Sequence, residues 1–182
     1  MPICGKKGTI MMNSNFFRKT AVILSTVMLL AGCGAKAAPS AGIQASEVQE
    51  KAQETKTINE IYQEITEQVS LESPACMKDD FISNYYGIDV STLEEYVFSM
   101  SEDATQAETV VLMKAKDGAD TGEIVSALET VVDEKKNEME NYLPEQFEIV
   151  EKSEVKTRDR YVWLVISQQA DAITDIIEKD LF

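Results

Sequence analysis

Tyr161-Val162-Trp163-Leu164-Val165-Ile166 is the stretch that decides the fold of this chain. Its β-branched and aromatic residues favour a strand, and no polar residue stands on either alternating face. A strand that is apolar on both faces belongs inside a sheet whose two sides are both covered. We expect helices of this chain to cover one side. The other side is left to the N-terminal helix or to a partner, and a second copy of the chain is one such partner.

Three other segments predict strands around this one. Residues 96–100 alternate between their two faces, and residues 110–113 follow after a polar connection. A third strand is expected in residues 147–155, and the polar residues 157–160 form the turn that joins it to residues 161–166. The apolar residues of this third segment are Phe147, Ile149 and Val155. Because the connections within each pair are short, we expect antiparallel pairing.

Apolar residues at helical spacing predict four helices. They cover residues 56–71, residues 78–86 with Gly87 as the left-handed end, a segment from Asp120 to Pro144, and a segment from about Gln169 onward. In the third helix Asp120 is the predicted N-cap and Glu123 completes a capping box. Its expected apolar face consists of Ile124, Leu128, Val131, Val132, Met139 and Tyr142.

The order of these elements defines the fold class. An N-terminal helix precedes strand-strand-helix-strand-strand-helix, which predicts an α+β fold with an antiparallel sheet of about four strands. The segment 47–182 is long enough to bury one core of its own. We therefore predict a single domain over residues 47–182.

The beginning of the chain resembles a bacterial lipoprotein signal. Lys6, Lys7, Arg18 and Lys19 precede the apolar residues 21–31, and Leu30-Ala31-Gly32-Cys33 resembles a lipobox. The apolar run is too short to span a bilayer, which takes about 20 residues. The resemblance implies that residues 1–32 are a cleaved signal peptide and that Cys33 carries lipid on the outer face of the cell membrane. An ordinary secreted protein with a chance cysteine is the alternative.

The charge of the remaining chain limits its partners. Residues 1–32 hold four of the 17 basic residues and none of the 32 acidic ones, so their removal changes the net charge from −15 to −19. Such a surface repels phosphate groups, which makes nucleic acid an improbable ligand. Residues 33–46 are small and contain proline and glycine, which is typical of a flexible tether.

Two motifs resemble a known family. Asn141-Tyr142-Leu143-Pro144-Glu145-Gln146 and the later residues 161–167 are similar to the hallmark of bacterial lipoproteins grouped as domain of unknown function 4358. Residues 85–89 resemble a further family segment, and the similarity extends over about residues 78–182. The resemblance implies a signal, a lipid anchor and a compact domain. It supplies no catalytic residue.

The sequence contains few of the side-chain types that carry out catalysis or bind metals. The chain contains no histidine, which excludes His-based zinc sites and Ser-His-Asp or Cys-His nucleophiles. Cys76 follows Cys33 as the only later cysteine, and without an imidazole to generate a thiolate we expect a small buried residue. Acidic pairs such as Asp79-Asp80 arise freely among 32 acidic residues. We predict no catalytic residue, no metal site and no cofactor.

Two groups of polar residues have both a structural and a functional interpretation. Asp117, Asp120 and Glu123 offer oxygen ligands to calcium, but their spacing does not fit an EF-hand and a turn with a helix cap explains them. The structural interpretation of residues 142–146 is that they form the end of a helix. The functional alternative is a ligand or partner cleft, for which the candidate residues are Tyr85, Tyr86, Tyr142, Glu145 and Gln146.

The functional prediction follows from location and from the missing catalytic groups. We expect a lipid-anchored extracytoplasmic module that binds an envelope protein or polymer and is not an enzyme. The alternative is an enzyme that modifies an envelope polymer, or an essential accessory subunit of one.

Overall fold

The structure, a computed structural model, describes residues 56–182. The predicted signal peptide, Cys33 and the tether lie outside the described residues. The helices are α1 (Ile58–Gln68), α2 (Asp79–Tyr86), α3 (Thr121–Met139), α4 (Pro144–Glu151) and α5 (Ala170–Leu181). The strands are β1 (Pro74–Cys76), β2 (Leu93–Ser101), β3 (Thr109–Ala115), β4 (Val155–Arg158) and β5 (Tyr161–Ile166), and a 3₁₀ turn (Val90–Thr92) leads into β2.

The five strands form one antiparallel sheet in the order β1-β2-β3-β5-β4. Strand β5 therefore lies inside the sheet, as its apolar sequence predicted. Trp163 of β5 stands opposite Leu112 of β3 on one side and Lys156 of β4 on the other. The α+β class and the antiparallel pairing are confirmed, but the sheet has five strands, not four.

Both faces of the sheet are covered by helices of the same chain. We call the side covered by α1 and α5 the α5 face; its buried sheet residues are Val97, Val110, Leu112, Trp163 and Val165. The opposite side, the α3 face, is covered by α2, α3 and α4; its buried residues include Tyr96, Phe98, Val111, Met113 and Leu164. Of the two alternatives for covering β5, the structure thus has the intramolecular one.

Local capping explains where the helices begin and end. Thr57 and Glu60 form a capping box at α1, with Thr57 N donating to Glu60 Oε2 at 2.8 Å and Glu60 N to Thr57 Oγ1 at 3.2 Å. Gly87 ends α2 with φ of 70°, the left-handed geometry that favours glycine. At α3 the Asp120 side chain accepts a hydrogen bond from Gly122 N at 2.8 Å. The predicted N-cap is confirmed with the amide of Gly122 as its donor, but the expected capping box is not formed, because Glu123 makes no hydrogen bond back to Asp120.

The segment after α3 differs from the prediction. Residues 144–151 form the helix α4 and not a strand, because Pro144 occupies its first turn, where the fixed proline φ suits a helix and its missing N–H costs nothing. Strand β4 is correspondingly short, and it includes Thr157 and Arg158, which were expected in the turn. Tyr142 is 85% exposed and does not belong to the buried face of α3.

Strand β1 was not predicted. It is only three residues long and begins with a proline, so neither length nor alternation marks it. It pairs with the end of β2, where Ala75 faces Met100. Cys76 ends this strand; it is half-buried, not fully buried as expected, and packs against the apolar residues of the α5 face.

Among the helices of residues 56–182, none has the length and apolar composition needed to cross a membrane.

Candidate functional site

A polar cleft lies at the end of the sheet where β3 begins and β5 ends. The start of α4 and the connection after α1 complete its walls, and its volume is about 310 Å³. We call it the Gln146 cleft. Its lining residues are Ser70, Glu72, Gln106, Glu108, Glu145, Gln146, Ile149, Ser167, Gln168 and Gln169.

Gln146 braces one wall of this cleft. Its side-chain Oε1 accepts a hydrogen bond from the backbone N–H of Ala107 at 2.8 Å, and Ala107 is fully buried. A buried backbone donor without a partner is costly, so this bond fixes α4 against the connection between β2 and β3. Gln146 therefore has a structural contact that joins two segments distant in sequence.

Glu108 braces the opposite wall. One carboxylate oxygen accepts from Ser167 Oγ at 2.7 Å, and the other accepts from Glu72 N at 2.5 Å. Ser167 Oγ in turn accepts from Gln169 N at 3.1 Å, and Gln169 Nε2 donates to the Ser70 carbonyl at 3.1 Å. These bonds tie the connection after α1 to the end of β5 and the beginning of β3. The cleft is therefore held by side chains that are already satisfied.

Several other lining residues, Gln106, Glu145 and Gln168 among them, offer free side chains. In the described part of the chain, the side chains of Gln106, Glu145 and Gln168 make no hydrogen bond or ion pair. Amide groups both donate and accept, and a carboxylate accepts. Because the hydrogen bonds of Gln146 and Glu108 hold the walls in place, these groups can hydrogen-bond a ligand rich in hydroxyl or amide groups without a rearrangement of the cleft.

The structure brings together only two of the five predicted cleft residues. Glu145 and Gln146 line the Gln146 cleft, but none of the three tyrosines does. Tyr85 is 59% exposed on α2, where its ring stacks on Phe81 with centroids 5.2 Å apart. Tyr142 stands in solvent.

Tyr86 is a packing residue of the α3 face. Its ring stacks on Phe98 with centroids 5.3 Å apart, and its hydroxyl donates to the Met100 sulfur at 3.7 Å. Burial raises the pKa of Tyr86 well above the usual range of a phenol, because the charged form would lose its water. This tyrosine is therefore suited to holding α2 on the sheet.

Sequence reasoning missed Gln106, Glu108, Ser167 and Gln169. One signal was available: Ser167-Gln168-Gln169 follows directly on the apolar strand β5, and polar residues at the end of a strand often lie in a site. Glu108 carries no comparable signal, since it is one of 32 acidic residues.

The acidic turn before α3 is explained by local contacts. Asp120 caps α3, and Asp117 forms an ion pair with Arg160 at 3.0 Å. In residues 56–182 no group of three or more Cys, Asp or Glu side chains is arranged so that it could hold a metal ion.

Comparison with known proteins identifies a family. No curated protein and no solved structure matches the chain. The family described as Domain of unknown function (DUF4358) matches residues 67–167, a segment that contains all five strands together with α2, α3 and α4. The match covers more than half of the sequence and includes both hallmark segments of residues 141–146 and 161–167. The chain belongs to the domain family DUF4358.

Proposed function

We propose that this protein is a lipid-anchored extracytoplasmic module that binds a component of the cell envelope in the Gln146 cleft. One observation carries the proposal: Gln106, Glu145 and Gln168 present unoccupied polar groups on walls that Gln146 and Glu108 hold in place. The lipobox at residues 30–33 supports the anchor and the location, and the absence of histidine from the sequence supports binding over catalysis.

The chemistry of the cleft favours a neutral, hydroxyl-rich or amide-rich ligand. Glutamine side chains pair with hydroxyl and amide groups. Three carboxylates also line the cleft, on Glu72, Glu108 and Glu145, and a net charge of −19 after removal of residues 1–32 repels polyanions. A neutral wall polysaccharide or a peptide stem fits these groups better than an anionic polymer does.

Cross-linking in intact cells tests the binding site. A photoreactive residue at Gln168 is expected to capture a reproducible envelope component, while the same residue at the exposed Glu129 on α3 captures none. In the protein that carries the photoreactive residue at Gln168, the double variant Gln106→Ala with Glu145→Ala is expected to abolish the capture without unfolding the protein. Equal recovery from both positions, or recovery that the double variant leaves unchanged, would count against the cleft as the binding site.

The anchor has a separate test. Cys33→Ser is expected to move the protein from the membrane fraction to the soluble fraction and to remove incorporation of a labelled fatty acid. A protein that fractionates identically with serine at this position would disprove the lipid anchor and leave the cleft untouched.

An enzyme that modifies an envelope polymer is the second candidate, because three carboxylates share one cleft and hydrolysis of glycosides uses paired carboxyl groups. Under this hypothesis Glu72→Gln with Glu145→Gln abolishes turnover of wall polymers while ligand capture at Gln168 persists. Turnover that survives both replacements would defeat this alternative.

A further inference from the structure

A second groove runs along β4 on the α5 face and shares no lining residue with the Gln146 cleft. It consists of two neighbouring cavities of about 420 Å³ and about 140 Å³, both lined by Glu154, Lys156 and Trp163. The larger one reaches Glu178 and Phe182 at the end of α5, and the smaller one reaches Ala170 at its start. A groove therefore lies open between helix α5 and the edge strand β4.

Trp163 has an unused donor at this groove. The residue is only 4% exposed, and within residues 56–182 its indole Nε1 has no hydrogen-bond partner. A buried N–H without an acceptor is uncommon and costly in a folded protein. An oxygen acceptor brought by a ligand would satisfy it.

The backbone of β4 is open on its outer side. Ala115 N donates to the Arg160 carbonyl at 2.8 Å, so the alternate residues of β5 that start at Arg160 bond toward β3. The residues between them, Trp163 included, bond toward β4. On β4 it follows that Val155 and Thr157 direct their N–H and C=O groups away from β5. No strand of the described residues pairs with that side.

Strand β4 itself contributes two cations to the groove, Lys156 and Arg158, while Glu154 and Glu178 flank them in the lining. Lys156 reaches Glu178 only at 3.5 Å, and Arg158 lies over the Phe182 ring with its Cζ at 3.9 Å from the centroid. Within the described residues Arg158 has no carboxylate partner. Antiparallel pairing of two β4 strands would bring these cations of two copies together, which is unfavourable. A strand with acidic side chains is complementary instead.

We propose that β4 binds an extended acidic segment of a partner protein as a sixth strand of the sheet. The added strand pairs with the outward backbone groups of Val155 and Thr157, as in other cases of strand addition. Its alternate acidic side chains lie beside Lys156 and Arg158, and the buried indole of Trp163 shifts so that its Nε1 donates to an oxygen of the added strand. The proposal stands independently of the function assigned to the Gln146 cleft.

Titration of the intact domain with two peptides tests this. The probes are a short peptide that alternates Thr with Glu and one that alternates Thr with Lys. Because the sequence contains a single tryptophan, its indole N–H resonance reports on the groove alone. With the acidic peptide we expect a shift of that resonance and slower hydrogen exchange of the Val155 and Thr157 amides. With the basic peptide we expect neither.

Three variants separate strand addition from general attraction of anions. Thr157→Pro removes one outward N–H at an edge position that tolerates proline, and it is expected to abolish binding. Lys156→Glu with Arg158→Glu is expected to weaken binding by about tenfold or more, because like charges then face each other. The matched control, Lys78→Glu on the exposed start of α2, is expected to bind as the native protein does.

Several outcomes would overturn the proposal. One is an unshifted indole resonance at saturating acidic peptide. Another is binding that survives Thr157→Pro in a protein with native amide dispersion. A third is equal binding of an acidic polysaccharide, which would show that the groove attracts anions without adding a strand.

Discussion

The buried carboxylate of Glu95 accepts a hydrogen bond from the backbone N–H of Ile58, with 2.8 Å between Oε2 and N. Ile58 is the first residue of α1, whose initial amides have no partner within the helix. Glu95 lies on β2, where the pairing with β3 shifts its register between Leu93 and Glu95. Its side chain points to the α5 face. A charged group of the sheet thus fixes the start of α1, where the helix dipole favours a negative charge.

Glu95→Ala is expected to lower the free energy of unfolding by about 1–3 kcal/mol, because the buried amide of Ile58 loses its acceptor. Glu95→Gln should cost less, since its amide oxygen can still accept. Urea unfolding followed by circular dichroism measures both. The control is Glu102→Ala, at the exposed residue that follows β2, which should change stability by no more than about 0.5 kcal/mol. Identical midpoints for Glu95→Ala and the native protein would show that this bond contributes nothing.

A second bond between α1 and β2 is open to a double-mutant cycle. The Tyr62 hydroxyl donates to Ser99 Oγ at 2.7 Å, and Ser99 is buried. Tyr62→Phe should cost about 1 kcal/mol, and Tyr62→Phe combined with Ser99→Ala should cost less than the sum of the two single changes. Strict additivity would mean that the two hydroxyls do not interact.

Acid should weaken the ion pair between Lys56 and Glu64 of α1. The hydrogen bond from Lys56 lowers the pKa of Glu64 to about 2. A carboxyl whose pKa is lower in the folded state stabilises the fold above its unfolded pKa, near 4.5, and that contribution disappears as the pH falls through about 2. Glu64→Gln should therefore flatten the loss of stability between these two pH values. Because Glu64 lies at the surface, we expect a small effect that salt diminishes. An unchanged acid profile would contradict this origin of the pH dependence.

Substitution of Gln146 should destabilise the protein much more than substitution of Tyr142, although both residues belong to the family motif. Gln146→Ala leaves Ala107 N without its acceptor and should cost about 1–3 kcal/mol. Tyr142→Ala, at a side chain in solvent, should stay within about 0.5 kcal/mol. Thermal unfolding compares the two. A larger loss for Tyr142→Ala would mean that this exposed ring is covered in the native protein.

The parts of the fold that the sequence predicted are those that burial or local backbone geometry governs. Residues 161–166 have no polar side chain, so an interior strand was the consistent placement. Gly87 and Asp120 were found because each satisfies a local backbone requirement. Local chemistry was sufficient in these cases.

The segment after Pro144 shows where pattern alone fails. Phe147 and Ile149 alternate as in a strand, yet Phe147 and Val150 are also spaced by one helical turn, and Val150 is the buried residue of α4. The Gln146 cleft could not be predicted for a different reason. The hydrogen bonds that hold its walls join residues far apart in sequence, such as Gln169 and Ser70, which are separated by 99 positions. No spacing rule connects such residues before the sheet is known.

The family match begins at residue 67 and ends at residue 167, whereas α1 and α5 lie almost entirely outside it. A fragment cut at those limits would keep every strand but would strip one side of the sheet, exposing Leu112, Trp163 and Val165 to water. Such a fragment is expected to aggregate. For expression of this protein, useful boundaries therefore include the two flanking helices.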